Sequence, residues 1–170
     1  NRSWRLISNN SDTTITAIAL NDLESGTAGT INATSVNILK GNATDVKTAL
    51  ASSGITTVTN GSLAVNVNSG TASVADINTI NADSATGIVT ATATETAAAT
   101  LIGLTTTGTD AITVTMAAAS TAEADLNTIN GKTSVAVNAA AVTPLPGTAA
   151  TVQLAYDANT DRTTTGIGFD

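Results

Sequence analysis

The chain contains no cysteine and no histidine. The first absence rules out disulfides and thiolate metal sites within the chain, and the second removes imidazole from every candidate mechanism. Aromatic residues are nearly as scarce, with one Trp, one Tyr and one Phe in 170 residues. A core without large rings must be built from thin, closely packed aliphatic layers, because wide gaps cannot be filled. Charge is sparse and lopsided: six basic against thirteen acidic residues leave a net charge of -7 and a pI near 4.2. With no basic stripe to neutralise phosphates, the chain is not expected to bind nucleic acid or an anionic membrane surface. No run of 18 apolar residues occurs, so no membrane span is expected. The N-terminus has no Met, no basic n-region and no apolar h-region, which suggests a processed product or a fragment of a longer chain.

What remains is small, aliphatic and periodic. Thr is the commonest residue and Ala the next, a mixture that suits alternating short strands and helices. The segment Asp76-Ile77-Asn78-Thr79-Ile80-Asn81 returns 49 residues later as Asp125-Leu126-Asn127-Thr128-Ile129-Asn130. Ahead of each copy lies an alternating stretch, Leu63–Val67 and Ile112–Met116, with the period of a half-buried strand. Each copy then carries apolar residues at i, i+3, the spacing of a helix face. A second offset, of 106 residues, places Asn32-Ala33 on Asn138-Ala139 and Val36 on Val142. It continues with Leu39 on Leu145, Gly41 on Gly147, Ala43 on Ala149, Val46 on Val152 and Ala49 on Ala155.

Strand starts at Leu63, Ile88, Ile112 and Val135 are 25, 24 and 23 residues apart. Thr96–Leu104 reads as the helix after the Ile88 strand. Ile15–Leu20 reads as an earlier strand and Ile167–Phe169 as a late one. Ser73, Ser120 and Asn42 are placed as helix N-caps with a carboxylate three residues on, Ser120 with Glu123 forming a capping box. Gly54 and Gly131 are placed at helix C-termini. Pro144 and Pro146 fall in the loop before a helix around Ala149–Tyr156. The expected fold is α/β: a short β-α solenoid of about 24-residue units, with a parallel sheet on one side and short helices on the other. It is like a leucine-rich-repeat protein in architecture only, since that family's Leu/Asn consensus is missing. A compact doubly wound sheet is the alternative. Residues 1–27 read as an N-terminal cap or junction segment with one strand, and 28–170 as the β-α repeat domain.

The phrases Ala75–Asn81, Ala124–Ser134 and Gly147–Ala150 resemble tandem repeats of very large secreted or cell-surface proteins of marine bacteria, notably cyanobacteria. The resemblance spans about residues 28 to 170 and brings no active-site pattern with it. It implies an extracellular or cell-surface location, a structural or adhesive role and a longer parent chain.

Candidate sites are few. Asp76 and Asp125 would suit a column of calcium ligands, but their place at helix starts favours capping and the helix dipole. Asn66 and Asn138 would belong to an exposed polar row. Asn1, Asn9, Asn32, Asn42 and Asn60 begin glycosylation sequons, as chance provides in so Asn- and Thr-rich a chain. Thr90/Thr92 and Thr113/Thr115 form outward pairs that an ice-binding face would need, yet the aligned neighbours are Ala64/Asn66 and Ala136/Asn138. Lys40, Lys47 and Lys132 are scattered, and Gly103 and Gly108 lack the residues of a phosphate loop. A Ser or Thr nucleophile would lack a His base. No catalytic residue, metal ligand or cofactor site is therefore assigned, and the chain is read as no enzyme. The sequence points to a self-associating structural module that partners identical chains or neighbouring repeats. The alternative is an adhesin or phage-fibre module contacting glycan or a cell surface, for which Trp4, Tyr156 and Phe169 are the only aromatic platforms. Ice binding is a third and weaker reading.

Overall fold

A computed structural model describes residues 13–57, 63–84, 87–160 and 164–165. The elements run β1 (Thr14–Thr16), α1 (Ala17–Ser25), β2 (Ile31–Asn32), β3 (Ile38–Gly41), α2 (Ala43–Ala51), β4 (Ile55–Thr56), β5 (Ala64–Val67) and α3 (Val74–Asp83). They continue as β6 (Val89–Thr92), α4 (Ala98–Leu101), β7 (Ala111–Thr113), α5 (Glu123–Asn130), β8 (Val137–Asn138), α6 (Ala149–Thr160) and β9 (Thr164–Thr165). The fold is α/β with parallel strand pairing and six helices among the described residues. Two compact units divide it, Asn1–Ala72 with Asp76–Ala91, and Ser73–Ala75 with Thr92–Asp170.

In the first unit β1, β3, β5 and β6 form a parallel sheet in that order. Thr14 lies opposite Ile38, Ile38 opposite Ala64, and Val65 opposite Val89, steps of 24, 26 and 24 residues. β2 and β4 make a separate parallel pair with Ile31 opposite Ile55, again a step of 24. Leu39, Val65 and Val89 share one register row and are all buried. The next residue along each strand faces outward, as the two-residue period of a strand requires. Helices α1 and α2 pack on each other, with Leu20 and Val46 buried.

In the second unit the Ala93 N–H donates to the Thr113 carbonyl at 3.0 Å. Thr115 pairs in parallel with Asn138, and β8 in parallel with β9. Helix α5 packs against α4 and α6, and Leu126 and Ile129 are buried. Among the described residues the largest fully buried side chains are all Leu, Ile or Val, as a small-aliphatic core requires.

Both sequence offsets correspond to structure. Leu63, Val65 and Val67 are buried, as are Ile112, Val114 and Met116 at 49 residues' distance. At 106 residues' distance, β2 and β8 each end in an Asn whose side-chain oxygen accepts the N–H two residues on. In both turns a Val N–H then donates to an Ala carbonyl at 3.0 Å, Val36 to Ala33 and Val142 to Ala139. The match lapses where β3 stands in one copy and the Pro144/Pro146 loop, with a cis Thr143–Pro144 bond, in the other, and the buried Ala43 and Val46 of α2 answer to an exposed Ala149 and a half-buried Val152 of α6.

Several local expectations are corrected. Ile15–Leu20 is not one strand: β1 ends at Thr16 and α1 begins at Ala17. Ala17 and Leu20 are buried while Ile18 is exposed, so the i, i+3 spacing prevails over a weak alternation. The strands β2, β3 and β4 were not foreseen, being two to four residues long. The helix expected over Thr96–Leu104 shrinks to Ala98–Leu101. α2 ends at Ala51, so Gly54 does not terminate it. Gly131 does follow α5, but with φ -68°, its N–H donating to the Asn127 carbonyl at 3.1 Å. The expected strand Ile167–Phe169 lies outside the described residues.

Candidate functional site

The outward row of the first unit's sheet is the most regular polar feature. Thr16, Lys40, Asn66 and Thr90 stand side by side on β1, β3, β5 and β6. Adjacent strands are about 4.8 Å apart, so the row presents hydroxyl, ammonium and amide groups at even spacing. Asn66 lies opposite Thr90, one pleat away from the Thr92 alignment expected from the sequence. Thr115 lies opposite Asn138, as expected. The rows through Thr16 and Thr90 and through Thr115 are thus interrupted by Lys or Asn, and Thr14 lies opposite Ile38, unlike the uniform Thr array an ice face would need.

A second class of polar contacts runs between successive segments. Asn21 Nδ2 on α1 donates to the Asp45 carbonyl at 3.0 Å. Ser52 Oγ donates to the Glu24 carboxylate. Lys47 on α2 pairs with Asp76 in the first turn of α3, and both side chains are about one-third exposed. In the second unit the Val74 N–H donates to Glu95 Oε2 at 2.9 Å, so a carboxylate 21 residues on caps the start of α3. Thr106 Oγ1 donates to the Lys132 carbonyl at 2.8 Å, and the Ser134 N–H to the Asp110 carbonyl at 2.7 Å. These side-chain links join residues 21 to 29 positions apart, one repeat step each. The chain matches no known protein family, curated protein or solved structure.

The candidate residues settle into structural places. Asp76 faces an ammonium group, and Asp125 sits in the first turn of α5 with its N–H donating to the Ala122 carbonyl. Among the described residues no group of three or more His, Cys, Asp and Glu could hold a metal ion. Asn42 caps α2: its Oδ1 accepts the Asp45 N–H at 2.9 Å and its Nδ2 donates to the Asp45 carboxylate at 2.7 Å. Asn32 is exposed, and its Oδ1 accepts from both the N–H and the hydroxyl of Thr34. Asn1, Asn9, Asn60, Trp4 and Phe169 lie outside the described residues, and Tyr156 is carried on α6.

Ser120 does not cap α5. The helix starts three residues later at Glu123, and its N-cap residue Ala122 has no side-chain bond to give. Glu123 is therefore not the exposed end of a capping box but a core residue, 2% exposed. Its Oε1 is buried without a hydrogen-bond partner. The 49-residue offset held the signal, because it sets Glu123 on the buried Val74. Sequence reading also passed over Thr133. This buried hydroxyl accepts the Ile112 and Val135 N–H groups at 2.9 and 3.0 Å and donates to the Ile112 carbonyl at 2.7 Å. A Thr in a Thr-rich chain carries no mark of such a role.

Proposed function

We propose that the chain is a non-enzymatic structural repeat module of a secreted or cell-surface bacterial protein. In this reading it is a β-α solenoid of about 24-residue units that associates with identical chains or neighbouring repeats into a fibre or surface layer. The observation that supports it is the one-step rule. Strand register advances by 24 to 26 residues across the first sheet, and the inter-segment side-chain links span 21 to 29. A chain in which each layer touches the next in sequence is extended by adding layers, and its mechanical work is carried by the joints between them. No helix of the described residues is long and apolar enough to cross a membrane.

The outward row Thr16, Lys40, Asn66 and Thr90 favours a second reading, an adhesin or fibre module that contacts glycan or a cell surface through evenly spaced polar groups. Electron microscopy and sedimentation velocity on the purified chain test the two together. Filaments or sheets that lengthen with concentration support the structural module. Isolated particles that bind a glycan array, with binding lost in Lys40→Ala and Asn66→Ala, overturn it in favour of the second. An ice-recrystallisation assay is expected to show no inhibition, since Lys40 and Asn66 break the hydroxyl row.

A further inference from the structure

The two helices of the 49-residue repeat are the same over most of their length. Residues 75–81 and 124–130 differ only at Ile77 against Leu126. Their burial also matches position by position. Ile77, Ile80, Leu126 and Ile129 are buried, while Ala75, Thr79, Ala124 and Thr128 are exposed. Nothing along the helix body tells one copy from the other. A layer that accepts α3 would accept α5, and misassembly of like units is a characteristic failure of repeat proteins.

The copies part at their first residue. α3 opens on Val74, 6% exposed, and α5 on Glu123, 2% exposed. The layer that follows each is fitted to its own opening residue. Against α3 stands Glu95, whose Oε2 accepts the Val74 N–H at 2.9 Å. Against α5 stands Gly147, whose missing side chain leaves room for the Glu123 carboxylate. All four residues belong to the second compact unit.

An exchange of the two helices would create two foreign junctions. Val74 against Gly147 sets a small apolar side chain beside a glycine, which tolerates it. Glu123 against Glu95 sets a carboxylate on the very residue whose N–H another carboxylate already holds. The two would lie within about 6 Å of each other, partly shut off from water, where like charges disfavour one another strongly. An exchange between two copies makes both junctions at once, so one forbidden junction blocks it.

We propose that Glu123 is a register lock: it keeps α5 off the layer that carries Glu95, and so keeps the two like helices from trading places. This accounts for a buried carboxylate oxygen without a hydrogen-bond partner. A buried charge that lowers stability can still fix which elements pair. The lock acts at a joint between layers and does not depend on the self-associating reading.

Val74→Glu recreates the forbidden junction inside one chain and should destabilise it. Adding Glu95→Gln should then raise the folding equilibrium constant roughly tenfold or more in urea denaturation. In the wild-type background Glu95→Gln should lower it, since a neutral amide is the weaker acceptor for the Val74 N–H. An effect of the same sign in both backgrounds would overturn the proposal. The lock itself is read by mixing. Isotope-labelled and unlabelled copies are unfolded together in urea, refolded at high concentration and diluted before native mass spectrometry. Exchanged dimers survive dilution because they part only by unfolding, whereas copies joined by surface contacts separate. Glu123→Val is expected to give roughly tenfold or more mixed dimer than wild type, and Glu123→Gln a yield between the two. Equal yields from wild type and Glu123→Val would overturn the proposal and leave the structural module standing.

Discussion

The carboxylate of Glu123 is packed against the backbone of Gly147, where a Cβ would collide with both of its oxygens. This contact fills the place that Val74 fills at the start of α3. A buried carboxylate oxygen without a partner is destabilising, because it has lost water and gained nothing in return. Glu123→Val should therefore stabilise the protein by on the order of 1–3 kcal/mol at neutral pH, and Glu123→Gln by less, since the amide still needs partners. Calorimetry would show a rise of several degrees in Tm. A fall in Tm for both variants would mean that the carboxylate is satisfied in solution and holds the 143–147 loop in place.

Two glycines should fail for different reasons. A Cβ at Gly87 would run into the backbone carbonyl of Leu63, which leads into β5, so Gly87→Ala must push a sheet segment aside. Gly70 has open space around it but a φ of +81°, so Gly70→Ala is strained in its own backbone. The first should cost about 1–3 kcal/mol and the second roughly 1–2 kcal/mol. Asn tolerates positive φ better than Ala, so Gly70→Asn should recover part of the loss while Gly87→Asn recovers none. Urea denaturation of the four variants decides this; rescue by Asn at both positions would refute the steric account of Gly87.

Where the sequence carried two matched copies, the fold could be read from it. The pairs Leu63/Ile112, Val65/Val114 and Ile77/Leu126 share burial as well as sequence, because an aliphatic residue at the right period has only one favourable side to face. Short strands were lost for the complementary reason. Ile38–Gly41 is only four residues long, with one fully buried residue, so no alternation builds up, and its place in the sheet is fixed by β1 and β5 on either side. Polar joints were less legible still. Glu95 caps α3 from 21 residues away and Lys47 meets Asp76 from 29 residues away, distances that acquire meaning only once the layer step is known.

The Lys47–Asp76 pair is the test of the calcium reading. Both side chains are about one-third exposed, so the pair should contribute only about 0.2–1 kcal/mol and weaken with salt. A double-mutant cycle of Lys47→Met and Asp76→Asn in low and high salt measures it. Asp76→Asn should cost slightly more than Lys47→Met, because it also removes negative charge from the first turn of α3. Calcium at millimolar concentration is expected to leave Tm unchanged, and a chelator likewise. A Tm that rises with calcium in the wild type but not in Asp76→Asn would show that the carboxylate prefers the metal to the lysine.

Thr133 gives the sharpest separation of hydrogen bonding from packing. Its hydroxyl serves the Ile112 N–H, the Ile112 carbonyl and the Val135 N–H together, and the residue is buried, so water cannot replace it. These bonds tie the segment after α5 to the inner residue of β7, 21 positions back in the chain. Thr133→Val keeps the shape and removes the oxygen, leaving the buried Ile112 N–H and the part-buried Val135 N–H without this partner; the expected loss is on the order of 2–3 kcal/mol. Thr133→Ser keeps the oxygen and drops one methyl group, for a loss of about 1 kcal/mol. Hydrogen exchange should follow the same order, with the Ile112 and Val135 amides deprotected in the Val variant and protected in the Ser variant. Equal losses in the two variants, with both amides still protected, would assign Thr133 to packing and leave the joint between these layers to the Ser134–Asp110 bond.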